Sequence, residues 1–170
     1  MNKDSMAYKG VLLGVLCAFC GLALSGVNAI TAPKIAEARM AKIQANLEQF
    51  YPGATFSEIT DYQDDTKMVT GVYEAEGKGM IYNLKVTGYN SSGFTFMIAY
   101  NDDGTVAGFT PIEQNETSGF GSRCFEPEYI DQILSLTADD EAPLLSGATL
   151  TSTAIRNGMA AASALFEAGK

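Results

Sequence analysis

The sequence predicts an α+β fold: an N-terminal transmembrane helix, then a domain built on an antiparallel β-meander with flanking helices. Three observations carry this expectation. Residues 10–33 contain no charged side chain. Between 69 and 112, four segments alternate apolar and polar residues and are separated by Asn/Gly-rich turns. Helical periodicity appears before them, around 40–51, and after them, from Thr151 onward. With 170 residues in all, the chain has room for one domain behind the apolar run.

The run "GVLLGVLCAFCGLALSGVNAI" is 21 residues long. At about 1.5 Å of rise per residue it matches a hydrocarbon core about 30 Å thick. A secretory signal has a shorter apolar stretch, about 7–15 residues, although "VNA" at 27–29 imitates a cleavage site. Read as an uncleaved anchor, the segment gives a tail at 1–9 and a transmembrane helix at 10–31. Lys3 and Lys9 precede it and Lys34, Arg39 and Lys42 follow, so the positive-inside rule does not set its direction. A short tail before a large domain fits a cell-membrane protein, single-pass, with a cytoplasmic N-terminus and an extracytoplasmic C-terminal domain. Cys17 and Cys20 share a helix face with small neighbours such as Gly21. That pattern reads as close packing against a membrane partner rather than redox chemistry.

Pro33 marks a helix start, and Met40, Ile43, Leu47 and Tyr51 then recur at three- and four-residue steps. This linking helix, 32–52, continues from the membrane helix through a bend, joining anchor to domain, and ends at "YPG". From 53 to 170 the chain forms the main domain. Strands are expected at Val69 to Ala75, Met80 to Val86, Phe94 to Tyr100 and Val106 to Ile112, with "NSSG" and "NDDG" as hairpin turns. A short helix near Glu126–Leu136 and a terminal helix from Thr151 complete it.

The charge balance is 11 basic to 20 acidic residues, which argues against nucleic acid as a partner. Histidine is absent, so Ser-His-Asp and Cys-His catalysis and the common zinc sites are excluded. Two loops remain as places for chemistry: "NETSGFGSR" at 115–123 and "LLSGATLTS" at 144–152. Both combine glycine with hydroxyl residues, and the second opens a helix, whose N-terminus attracts anions. Gly119, Gly121 and Gly147 let backbone approach a ligand, with hydroxyls from Ser146, Thr149, Thr151 and Ser152 nearby. The plainer alternative is an N-cap in which Thr151 or Ser152 bonds the first turn.

Ser146-Gly147-Ala148-Thr149 resembles the S/T-G-A-T signature of two related FMN-binding domains. These are found in the G subunit of the Rnf electron-transport complex and the C subunit of the sodium-translocating NADH:quinone reductase. "ETSGFG" at 116–121 is similar to the E-T-P-G-L-G loop of those proteins, which lies by the flavin. The order of parts also matches: one span, a "VNAITAPKIAE" junction at 27–37, a β-rich middle, the E-T loop, then S-G-A-T and a closing helix. The short length and single span fit the Rnf protein rather than its quinone reductase counterpart.

The resemblance implies covalent FMN, joined by a phosphoester to Thr149 and installed by a flavin transferase. Ser146, Gly147, Ala148 and Thr151 then surround the phosphate, and Glu116, Thr117, Gly119, Phe120 and Gly121 lie by the flavin. It further implies a non-autonomous electron relay within an ion-translocating ferredoxin:NAD oxidoreductase, with other integral-membrane and redox subunits as partners. Three positions depart from the family pattern. Pro143 stands where an acidic residue recognised by the transferase is usual, Gln114 replaces a histidine, and Ser118 replaces the loop proline. Two alternatives belong to other classes: an extracellular flavoprotein reducing an external acceptor, and a cofactor-free membrane-anchored assembly domain.

Overall fold

A computed structural model of the protein describes residues 6–114 and 116–169. The tail residues before Met6, and Asn115 of the first glycine loop, lie outside the described residues. The chain divides into two compact units, Met1–Lys42 and Ile43–Lys170.

Helix α1 (Met6–Phe50) supplies the described structure of the first unit, and its end belongs to the second. Its apolar side chains from Val11 to Ile30 stand exposed, Leu22 by 75%. So much exposed apolar surface calls for an apolar surrounding. Among the described residues, one helix is long and apolar enough to cross a membrane. The span and the linking helix are continuous, as expected, but no separate helix start appears at Pro33, which lies inside α1. Proline there removes a single donor from a long ladder, and helical residues on both sides carry the geometry across it. Just before it, the Thr31 hydroxyl donates to the Val27 carbonyl one turn back, at 2.9 Å.

The second unit contains a five-stranded antiparallel sheet in sequence order: β1 (Phe56–Ile59), β2 (Val69–Ala75), β3 (Gly79–Val86), β4 (Phe94–Asn101) and β5 (Val106–Glu113). The sequence expectation named four strands. The additional one, β1, is a four-residue edge strand with no fully buried position, too short and too polar to show alternation. Pro111 is tolerated in β5 because that strand is the opposite edge.

Both faces of the sheet are covered. On one, Tyr82, Leu84 and Val86 of β3 pair with Ile98, Phe96 and Phe94 of β4. They form one core with Tyr129 and Ile133 of α2 (Pro127–Leu134) and Ile155, Met159 and Phe166 of α3 (Thr149–Ala168). On the other face, Ile81, Met97 and Ala99 pack with Leu47 and Phe50 from the end of α1 and with Tyr51. This second layer explains why β4 is apolar at nearly every position rather than strictly alternating. Burying Leu47 contributes about 1.5–3 kcal/mol, which holds the end of α1 on the sheet.

Candidate functional site

Helix α3 begins at Thr149 with Ala148 in the cap position, and no side chain caps it. The plainer expectation, a cap from Thr151 or Ser152, is therefore not what these hydroxyls do. Both are fully buried and point inward. The Ser152 hydroxyl donates to the carbonyls of Ala148 (3.1 Å) and Thr149 (3.2 Å) and accepts from the Leu145 N–H (3.0 Å). It closes the S-G-A-T turn on itself. The Thr151 hydroxyl donates to Glu116 Oε2 (3.1 Å) and accepts from the Tyr89 N–H (3.4 Å). Thr149 alone of the three faces solvent.

Glu116 is the junction of three segments. Its other carboxylate oxygen accepts from the Asn90 N–H at 3.4 Å, so one side chain joins the β3–β4 connection, the E-T loop and α3. Two glycines make room for it. A side chain at Gly88 would begin 2.6 Å from Glu116 Oε1, and one at Gly121 would begin 2.6 Å from Thr151 Oγ1 and collide with the carboxylate. Small residues at 88 and 121 are thus a condition of the junction rather than of a turn.

Behind the S-G-A-T turn lies a short 3-10 turn, Gly121–Phe125. Its Arg123 Nη1 donates to the Ser146 carbonyl at 3.0 Å. Gly147 has φ +83°, the left-handed conformation that glycine adopts without strain, and it reverses the chain just ahead of α3. Cys124, on the same short turn, is fully buried against Ala148. Burial, with Glu116 nearby, pushes its thiol up to about 11, so it is protonated at neutral pH.

Tyr89, Phe120, Gly121, Gly147, Ala148, Thr149, Leu150 and Thr151 line a cavity of about 220 Å³. The rings of Tyr89 and Phe120 are stacked, with centroids 6.1 Å apart and planes within 12°, and both are more than half exposed. The structure therefore brings Phe120, Gly121, Gly147, Ala148, Thr149 and Thr151 together at one cavity, with Glu116 beneath and Ser146 beside it. Thr117 and Gly119 sit apart from the lining, in the turn that carries Phe120: the Thr117 carbonyl accepts from the Phe120 N–H at 3.1 Å. Sequence reasoning missed Tyr89. Its signal was an aromatic residue between Gly88 and a hairpin turn, where a strand has already ended. A larger concavity of about 470 Å³ lies by β1 and β2, lined by Glu58, Tyr62 and Asp64 among others, and shares no residue with this site.

The donor set suits a flavin phosphate. An exposed hydroxyl at an uncapped helix start adjoins a glycine cradle, a guanidinium and a stacked aromatic pair. Similarity to known proteins agrees: residues 88–164 match the model of the FMN-binding domain, and residues 1–50 match that of the RnfG N-terminal region. Fold and site thus define an FMN-binding domain of the α+β class, behind an apolar N-terminal helix. The chain is 23% identical over 160 residues to the G subunit of an ion-translocating oxidoreductase complex of Stutzerimonas stutzeri, covering 89% of this chain and 65% of the relative. It is 26% identical over 155 residues to the G subunit of a Na(+)-translocating ferredoxin:NAD(+) oxidoreductase complex of Acetobacterium woodii, covering 82% and 74%. It therefore spans just under two thirds of the first relative's length. The chain belongs to the family of G subunits of Rnf-type complexes.

Proposed function

We propose that this protein is a membrane-anchored electron-relay component of an ion-translocating ferredoxin:NAD oxidoreductase, with FMN held by a phosphoester at Thr149. The observation that carries the reading is the position of Thr149. It is the exposed first residue of α3, in the S-G-A-T turn, at the cavity that Tyr89 and Phe120 also line. Attachment forms a bond from Thr149 Oγ1 to phosphorus. It breaks a phosphoanhydride bond of the activated flavin donor used by the transferase; the other phosphate half of that donor leaves and takes up the hydroxyl proton. When bound, FMN supplies one- and two-electron chemistry.

The chain's own residues have separate tasks in this reading. Gly147 and Ala148 leave space at the phosphate, and the first N–H groups of α3 face negative charge. Tyr89 and Phe120 offer flat apolar surface to the ring system. Glu116 is a positioning residue: it holds Thr151 and, through it, the Tyr89 backbone. α1 anchors the domain, with the N-terminus cytoplasmic and the domain outside, and its Cys17/Cys20/Gly21 face meets integral-membrane partners. In these terms the chain divides into a tail at 1–9, a span at 10–31, a link at 32–52 and the flavin domain at 53–170.

The test is mass spectrometry of the protein made together with a flavin transferase of its own source. A peptide containing Thr149 is expected to carry the mass of one FMN less water. An unmodified peptide, with the transferase active on another substrate, defeats the attachment. Co-purification with membrane-embedded redox subunits distinguishes the relay from a free-standing reductase of an external acceptor.

A further inference from the structure

We propose that Arg123 is the cation that holds the phosphate at Thr149, an inference that rests on the attachment reading above. Arg123 is half-buried on the 3-10 turn Gly121–Phe125, and its Nη1 donates to the Ser146 carbonyl at 3.0 Å. The same nitrogen stands 3.1 Å from the point where a side chain on Gly147 would begin. The guanidinium therefore lies against the S-G-A-T turn itself, and glycine at 147 is what leaves it there.

Its acceptor at Ser146 is a neutral carbonyl, which takes one of five N–H donors. Arg156 shows the contrasting case. That guanidinium meets the Glu141 carboxylate at 3.0 Å and the Ala142 carbonyl at 2.7 Å, so its charge is already matched. The described lysines of the second unit lie elsewhere. Lys78 donates to the Pro52 carbonyl, and Lys67 and Lys85 line a separate cavity with Thr66 and Asn157. Among the described residues, the contacts bring Arg123 alone of the basic side chains against this turn.

The chain carries a net charge of −9, and a phosphoester at Thr149 adds negative charge on the same surface. A half-buried guanidinium is screened less by salt than a surface lysine. Its planar fork also suits a tetrahedral oxyanion while keeping the Ser146 bond. Arg123 thus fixes the turn before attachment and neutralises the phosphate after it.

The experiment compares wild-type, Arg123→Gln and Arg123→Lys proteins, each made with the flavin transferase and read by intact mass after the same reaction time. Arg123→Gln is expected to lower flavin occupancy about tenfold or more, with an unchanged melting curve, and Arg123→Lys to recover part of it. A companion measurement uses a Thr149→Val background and compares thermal stabilisation by free FMN and by riboflavin, which lacks the phosphate. The advantage of FMN is expected to disappear with Arg123→Gln, whereas a merely structural role lowers both equally. Undiminished occupancy in a folded Arg123→Gln protein overturns the proposal. If that variant does not fold, Arg123→Lys decides: occupancy above half of wild type supports the proposal, and a tenfold loss overturns it. Absence of flavin from the wild type itself defeats the attachment reading instead.

Discussion

Two layers of hydroxyls occupy the same helix start and have opposite fates. Thr151 and Ser152 are fully buried, and each bonds both as donor and as acceptor. Thr149, in the same turn of α3, is exposed, and no described residue bonds its side chain. The inner layer joins the S-G-A-T turn to the E-T loop and the β3–β4 connection, while the outer one is left available. The attachment proposed at Thr149 needs both. The acceptor hydroxyl must be reachable by another enzyme, and the groups around it must already be fixed, because ordering them later would cost conformational entropy.

The largest test of this division is a paired substitution. Thr149→Val is expected to abolish covalent flavin fluorescence in a denaturing gel while changing stability by less than about 0.5 kcal/mol in urea unfolding. Thr151→Val keeps the proposed attachment residue but strands Glu116 and the Tyr89 N–H, and should cost about 1–3 kcal/mol. Equal losses of stability in the two variants would erase the distinction between the layers.

Gly121→Ala probes the inner layer where it meets the cavity. A methyl there meets the Glu116 carboxylate and Thr151 Oγ1, so about 1–3 kcal/mol of destabilisation is expected from overpacking. A neutral result in thermal unfolding would show that the junction is looser than its geometry. The smallest expected change concerns Pro143, whose carbonyl accepts from Tyr129 Oη at 2.8 Å and whose side chain is half-buried. Pro143→Asp retains that carbonyl and supplies the acid usual in the family. Flavin occupancy at a fixed reaction time is expected to rise, with stability within about 0.5 kcal/mol of wild type. No change in occupancy would show that this chain is recognised without the acid.

Much of the fold could be read from the sequence, for identifiable reasons. Alternation in β3 and β4 and the "NSSG" and "NDDG" turns are local signals, and each strand falls where they place it. β1 escaped because four residues on a sheet edge leave no period to detect. The continuity of span and linking helix was legible, but the helix start read at Pro33 failed because proline is a local breaker whose effect depends on the helix around it. The site residues Gly147, Thr149 and Phe120 carry local signatures. Tyr89 carries only a weak one, and nothing local shows that Arg123, at the end of the E-T loop, meets the Ser146 carbonyl.

The sequence by itself determined the apolar N-terminal segment, the meander and the glycine-hydroxyl loops, all of which depend on neighbours a few residues apart. Only the tertiary structure decided which hydroxyl is spent and which is exposed. That choice rests on contacts across the chain. Thr151 is 35 residues from its partner Glu116, and Arg123 is 23 from Ser146. Burial and hydrogen bonding at such separations follow from packing α3 and the E-T loop on the sheet, which no local pattern records.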